Sequence, residues 1–173
     1  MDGNIRVLLS EEELARRIEE MGQQINRDYE GESVLLICTL RGACIFACDL
    51  IRRISVPVML DFVKASSYGS GTVSSGQVRI DLDVEFPIEG RNVIIVDDIV
   101  DSGNTLKALR ELFASRGAKS VKVAALLDKP DRREVDVEMD YVGFTIPDLF
   151  VIGFGLDYDQ QYRNLPYVGV LED

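Results

Sequence analysis

Asp97, Asp98 and Asp101 follow the apolar run Val93-Ile94-Ile95-Val96 and precede Ser102-Gly103-Asn104-Thr105. A run of branched apolar residues fits a strand covered on both faces, as in a parallel sheet. Ligands of such sheets bind where the strands end. Ser102, Gly103 and Thr105 add a small residue, two hydroxyls and successive amides ahead of Leu106-Lys107-Ala108-Leu109-Arg110-Glu111-Leu112-Phe113, which has helical spacing. Amides converging at a helix start attract an anion, yet the neighbouring carboxylates repel one. A ligand with two distinct ends resolves the conflict. A pentose 5-phosphate is such a ligand, its phosphate on the loop and its ring hydroxyls, with any divalent metal on them, at Asp97 and Asp98. A polar turn with solvated acids, or a magnesium-binding receiver domain, would account for the acid pair alone. Neither requires Asp101 or the loop Ser102-Gly103-Asn104-Thr105.

The rest of the chain alternates strands and helices, the pattern of an α/β sheet. Ser10-Glu11-Glu12-Glu13 reads as a capping box, followed by Leu14, Ile18, Met21 and Ile25 on one helical face. Val34 to Leu40 predicts a buried strand that delivers Arg41-Gly42, a second anion-friendly turn, to a helix over 44–51. Val58 to Val63 predicts another strand. It leads into a Gly/Ser-rich stretch over 66–77 that reads as a mobile binding loop, and a returning strand follows over 77–83. Past Gly117, the strand 121–127 delivers Asp128-Lys129-Pro130, and apolar runs over 141–146 and 150–158 come after it. The architecture expected is a central, mostly parallel sheet flanked by helices. Short strands near the chain ends form a small hood over its ligand edge.

Composition narrows the function. With 173 residues, 46% hydrophobic and 28% charged, the chain fits one domain over 1–173. A formal charge of -11 works against any surface that neutralises a nucleic-acid backbone, so no nucleic-acid partner is expected. No apolar stretch has bilayer length, and Met1-Asp2-Gly3 lacks a basic secretory start; no membrane partner and a cytoplasmic location are the expectations. The absence of histidine excludes a histidine metal site or dyad. Cys38, Cys44 and Cys48 sit among apolar residues and are expected to be buried, reduced thiols.

The stretch from Val93 to Thr105 resembles the phosphoribosyl pyrophosphate signature of the type I phosphoribosyltransferases at every position. Leu40-Arg41-Gly42, Ser67-Tyr68, Leu126-Leu127-Asp128-Lys129, the run from Val142 to Tyr158 and Tyr162-Arg163-Asn164-Leu165 are similar to the hypoxanthine-guanine phosphoribosyltransferases. The resemblance implies the type I fold and transfer of the 5-phosphoribosyl group from phosphoribosyl pyrophosphate to hypoxanthine or guanine. The products would be IMP or GMP and pyrophosphate, with Mg2+ as cofactor.

Carried over, Asp97, Asp98, Asp101, Ser102, Gly103, Asn104 and Thr105 hold the phosphoribosyl group, and Asp101 is the general base. Arg41, Gly42, Ser67, Tyr68 and Arg163 face the pyrophosphate, with a cis Leu40-Arg41 peptide common in the family. Lys129, Phe150, Val151 and Asp157 belong to the purine side, Lys129 donating to the 6-oxo group that adenine lacks. Asp97, Asp98 and Asp157 face the metal. Asp97, Asn104 and Arg41 replace the commoner Glu, Lys and Lys; Asn104 costs a positive charge beside the phosphate. Other readings are a transferase for uracil, orotate, adenine or xanthine, and an RNA-binding pyrimidine regulator, which the acidic charge disfavours. The resemblance implies a homodimer or a homotetramer and leaves the choice open.

Overall fold

The computed structural model describes residues 4–67 and 78–172, with the side chain of Ser67 outside that set. In chain order the elements are β1 (Asn4–Leu9), α1 (Glu11–Asp28), β2 (Val34–Thr39), α2 (Cys44–Ile51), β3 (Val58–Ser67) and β4 (Val78–Leu82). They continue with β5 (Asn92–Val100), α3 (Asn104–Ser115), β6 (Ser120–Asp128), β7 (Tyr141–Thr145), β8 (Val151–Ile152) and β9 (Val168–Glu172).

Six strands form one sheet in the order β4-β3-β2-β5-β6-β7, parallel except for β4, which returns antiparallel to β3. This is the mostly parallel sheet expected from the run-like strands. Period-2 alternation splits its buried side chains between two cores. Leu36, Cys38, Ile94, Val96, Ala124 and Leu126 face α1 and α2. Leu35, Ile37, Val93, Ile95, Val123 and Ala125 face α3. The capping box forms as expected: Glu13 N donates to Ser10 Oγ and Ser10 N to Glu13 Oε2, so α1 starts at Glu11.

A second, antiparallel sheet, β1-β9-β8, is the hood, built from both chain ends. Its β1 strand, half exposed and nowhere fully buried, has no buried run by which to foresee its limits. The apolar run over 150–158 contributes only two strand residues. Gly153, Phe154 and Gly155 all take left-handed backbone, with φ of 91°, 50° and 98°, and turn the chain away from the sheet.

The cysteines correct the expectation drawn from their neighbours. Cys38 is buried in β2, its thiol pushed up to about 12 by burial, whereas Cys44 is half-buried and Cys48 exposed. The core stripe of α2 is Ala43, Phe46, Ala47 and Leu50, which turns Cys48 outward. No helix among the described residues is long and apolar enough to cross a membrane.

Candidate active site

The sheet order sets the site. The chain runs from β2 outward to β3, then resumes on the other side of β2 as β5. Loops leaving the C-terminal ends of β2 and β5 therefore diverge, opening the crevice in which α/β sheets bind ligands. Into it β2 delivers Thr39 and Arg41-Gly42, and β5 delivers Asp97 through Thr105.

The acid pair is held firmly at this edge. Thr39 Oγ1 donates to Asp97 Oδ1 at 2.7 Å, and the Asp98 amide donates to the same oxygen at 3.0 Å. Burial pushes the Asp97 carboxyl well above its ordinary range, and the adjacent Asp98 charge adds to the effect. Burial also raises Asp98, against the pull of hydrogen bonds from Asp97 and nearby amides and of the Arg163 charge. Two desolvated carboxylates side by side favour a ligand that brings hydrogen-bond donors or positive charge. Asp98 also lies on the second turn: a Cβ at Gly42 would stand 1.9 Å from Asp98 Oδ2.

Beyond the acids, the loop closes on itself. Asp97 and Asp101 line a small concavity with Ser102, Gly103 and Thr105. Gly103 has a φ of 84°, and a Cβ there would meet Val137 at 2.8 Å, so glycine is required both by conformation and by space. The segment after β6 clamps this loop from outside. Lys129 N donates to Val100 O, the amides of Glu134 and Val135 donate to Ser102 O, and Arg133 Nε donates to Asp101 O while its guanidinium pairs with Asp128. Asn104 Nδ2 donates to Glu134 Oε2 at 2.8 Å, turning the side chain that replaces a family lysine toward the clamp. Lys129 Nζ stands 3.9 Å from Asp101 Oδ1.

The far wall comes from the turn after β8. A Cβ at Gly155 would stand 2.2 Å from Gly42 O, so this turn packs directly on the Arg41-Gly42 loop, whose Leu40-Arg41 peptide is cis. Arg163 donates to Gly155 O at 2.7 Å and pairs with Asp157 at 3.2 Å. Gln160 Oε1 accepts from both Arg163 and Arg41. Phe150 exposes 57% of its surface, its ring edge-on to Tyr158 with centroids 5.7 Å apart. Tyr158 is itself 51% exposed, so the two rings form a joint exposed aromatic surface.

Comparison with known proteins shows the family. The family model for the phosphoribosyl transferase domain matches residues 6–159. A hypoxanthine-guanine phosphoribosyltransferase of Streptococcus thermophilus is 52% identical over 97% of this chain and 93% of its own. The chain belongs to the hypoxanthine-guanine phosphoribosyltransferase family. Two solved structures overlay closely. One is a hypoxanthine-guanine phosphoribosyltransferase of Bacillus anthracis (TM-score 0.93, 46% identity, 96% of this chain and 98% of the other). The second is a hypoxanthine phosphoribosyltransferase of Staphylococcus aureus (TM-score 0.94, 45% identity, 99% and 92%).

Within this phosphoribosyltransferase, several of the residues singled out from sequence lie against one another at the sheet's C-terminal edge. Asp97 to Thr105, Arg41 and Gly42, Lys129, and Asp157 with Arg163 come together through the contacts above. Val151 lies on the edge strand of the hood, next to Phe150. Tyr68 and most of the Gly/Ser-rich loop lie outside the described residues; Ser67 ends β3. Thr39, Arg133 and Gln160 have structural parts in the site and lie outside the motifs read from sequence, while Gly155 lies inside the run from Val142 to Tyr158 with no role given to it there. Among the described residues no three acidic or thiol side chains converge into a metal cage. The paired carboxylates of Asp97 and Asp98 are hard oxygen donors of the kind that magnesium takes singly or in pairs.

Proposed function

We propose that the chain transfers the 5-phosphoribosyl group from phosphoribosyl pyrophosphate to hypoxanthine and guanine, forming IMP or GMP and pyrophosphate. We place the reaction in the cytoplasm, with magnesium, in a homodimer or homotetramer whose protomers each work as one domain. The chain is a purine-salvage glycosyltransferase by family. The observation that carries the detailed reading is the two-ended crevice. Half-buried acids at Asp97 and Asp98 abut an amide-lined loop on one side and the Arg41-Gly42 turn on the other.

In this reading the amides and hydroxyls of residues 102–105 hold the 5-phosphate, and Asp97 and Asp98 accept from the ribose hydroxyls. The transition state gathers positive charge on the ribose and negative charge on the departing pyrophosphate. Fixed carboxylates beside the sugar therefore bind it more tightly than the ground state. Arg163, Arg41 and the Gly42 backbone face the leaving group, and Ser67 and Tyr68 close over it. Asp97 and Asp98 would hold magnesium at the ribose, and Asp157 would hold a second ion on the pyrophosphate. Bound there, magnesium would offset the charge building on the leaving group. Phe150 stacks on the purine, Val151 offers backbone groups to its edge, and Lys129 donates to the 6-oxo group. Asp101 takes the proton that the purine loses as its other imidazole nitrogen attacks.

A base panel tests this. The protein is incubated with phosphoribosyl pyrophosphate, magnesium and one base at a time, and nucleotide is followed. Product from hypoxanthine and guanine, with none from adenine or uracil, is the expected outcome. Product from uracil alone refutes the assignment of the purine pocket.

A further inference from the structure

Lys129 leaves only 9% of its side chain exposed, and its ammonium lies between two carboxylates. Asp101 Oδ1 is 3.9 Å away and Asp148 Oδ1 is 3.8 Å away. Neither separation is a hydrogen bond. Asp148 sits in the link from β7 to β8, two residues before Phe150, and its other oxygen is 3.5 Å from the Arg132 guanidinium. It matches none of the motif positions to which the family resemblance gives a role.

We propose that Asp148 is a positioning residue that holds the Lys129 ammonium away from Asp101. The lysine then remains available to the 6-oxo group and the aspartate to the purine proton. This rests on the roles given above to Lys129 and Asp101. A largely buried lysine beside a single carboxylate closes to a contact pair at about 2.8 Å, which would take both groups away from the substrate. A second carboxylate at nearly equal distance balances the pull. Arg132 engages the far oxygen of Asp148, anchoring that carboxylate from the outside; being exposed, it contributes direction more than energy.

The arrangement also keeps charge matched through the reaction. Before proton transfer, the lysine has two negative neighbours. When the purine nitrogen gives its proton to Asp101, that neighbour becomes neutral, and Asp148 remains as the counter-ion. Without Asp148, the transfer would strand a largely buried ammonium, an arrangement that is strongly unfavourable.

The test is a double-mutant cycle on Asp148→Asn and Lys129→Met, read as steady-state kinetics with hypoxanthine and phosphoribosyl pyrophosphate varied separately. Asp148→Asn is expected to raise KM for hypoxanthine about tenfold and to lower kcat, while KM for phosphoribosyl pyrophosphate stays within about twofold. Asp148→Glu should recover most of the loss. In the Lys129→Met background, Asp148→Asn should add nothing. Asp148→Ser serves in the same cycle should the asparagine variant not fold. Unchanged hypoxanthine kinetics in Asp148→Asn beside an impaired Lys129→Met overturn the role of Asp148 alone. So does a full additive loss in the double variant, or a parallel rise in KM for both substrates. An unimpaired Lys129→Met overturns the lysine's role and the Asp148 proposal together.

Discussion

The Asp98 carboxylate rests on the backbone of Gly42 so closely that a Cβ there would stand 1.9 Å from Oδ2 and 2.8 Å from Cγ. The carboxylate that would face the ribose and the turn that would face the pyrophosphate are thus one packed unit. Gly155 packs on Gly42 O, where a Cβ would stand 2.2 Å away, which leaves the turn little room to withdraw.

Gly42→Ala should therefore displace the acid, the turn, or both, by about an ångström. Misplacement on that scale costs about 10² in rate. We expect kcat/KM for phosphoribosyl pyrophosphate to fall by about that factor. Affinity for free hypoxanthine, bound farther along the cleft, should change little. Steady-state kinetics with each substrate varied checks this, and wild-type kinetics in the variant would show that the contact is incidental.

Asp97→Asn should separate stability from function. The Asp97 carboxyl is raised in the folded protein, by burial first and by Asp98 second. The ionised form is therefore disfavoured in the fold relative to the unfolded chain. In strong acid, where both states are protonated, this costs nothing. The cost grows as pH rises through the unfolded chain's ordinary carboxylate range and levels off above the raised folded value. Asparagine keeps an oxygen for the Thr39 hydroxyl and the Asp98 amide, and it removes one charge. The ligand-free variant should melt about 2–4 °C higher at neutral pH, equivalent to about 1 kcal/mol, with a flatter dependence on pH. It should also lose most of its turnover. Thermal melts across pH decide the matter; a lower melting temperature at neutral pH would contradict the account.

Asp101→Asn should fold normally. The Asp101 side chain is about half exposed and is held in the site by its carbonyl, which accepts from Arg133 Nε. The variant should lose about 10² or more in kcat, because asparagine cannot take the purine proton. Kinetics at saturating substrates, alongside a melt to show intact folding, measure this. Unchanged turnover removes the base assignment.

Local patterns reveal most about this site. Asp97 to Thr105 carries its strand, loop and helix start in one continuous stretch, so its chemistry is legible from the order of its residues. The capping box at Ser10 and the switch from strand to helix after Arg41-Gly42 are equally local. Contacts assembled over distance leave no such trace. Gly155 meets Gly42 only because the hood folds back over the crevice. Arg133 reaches Asp101 O only because β6 lies beside β5. Asp148 finds Lys129 across the same kind of gap. Cys48 misleads for a related reason, since apolar neighbours in sequence do not fix which face of a helix is buried. Ser67 and Tyr68 depend on the motif alone, and Tyr68 lies outside the described residues.

The central claim is that one crevice grips both ends of a ribose phosphate, with a 6-oxopurine held beside it. A crystal structure with IMP and magnesium tests it most directly. The account predicts the phosphate over the amides of residues 102–105, the ribose hydroxyls at Asp97 and Asp98, and the 6-oxo group within hydrogen-bonding distance of Lys129 Nζ. A ribose phosphate bound away from residues 97–105 would contradict it.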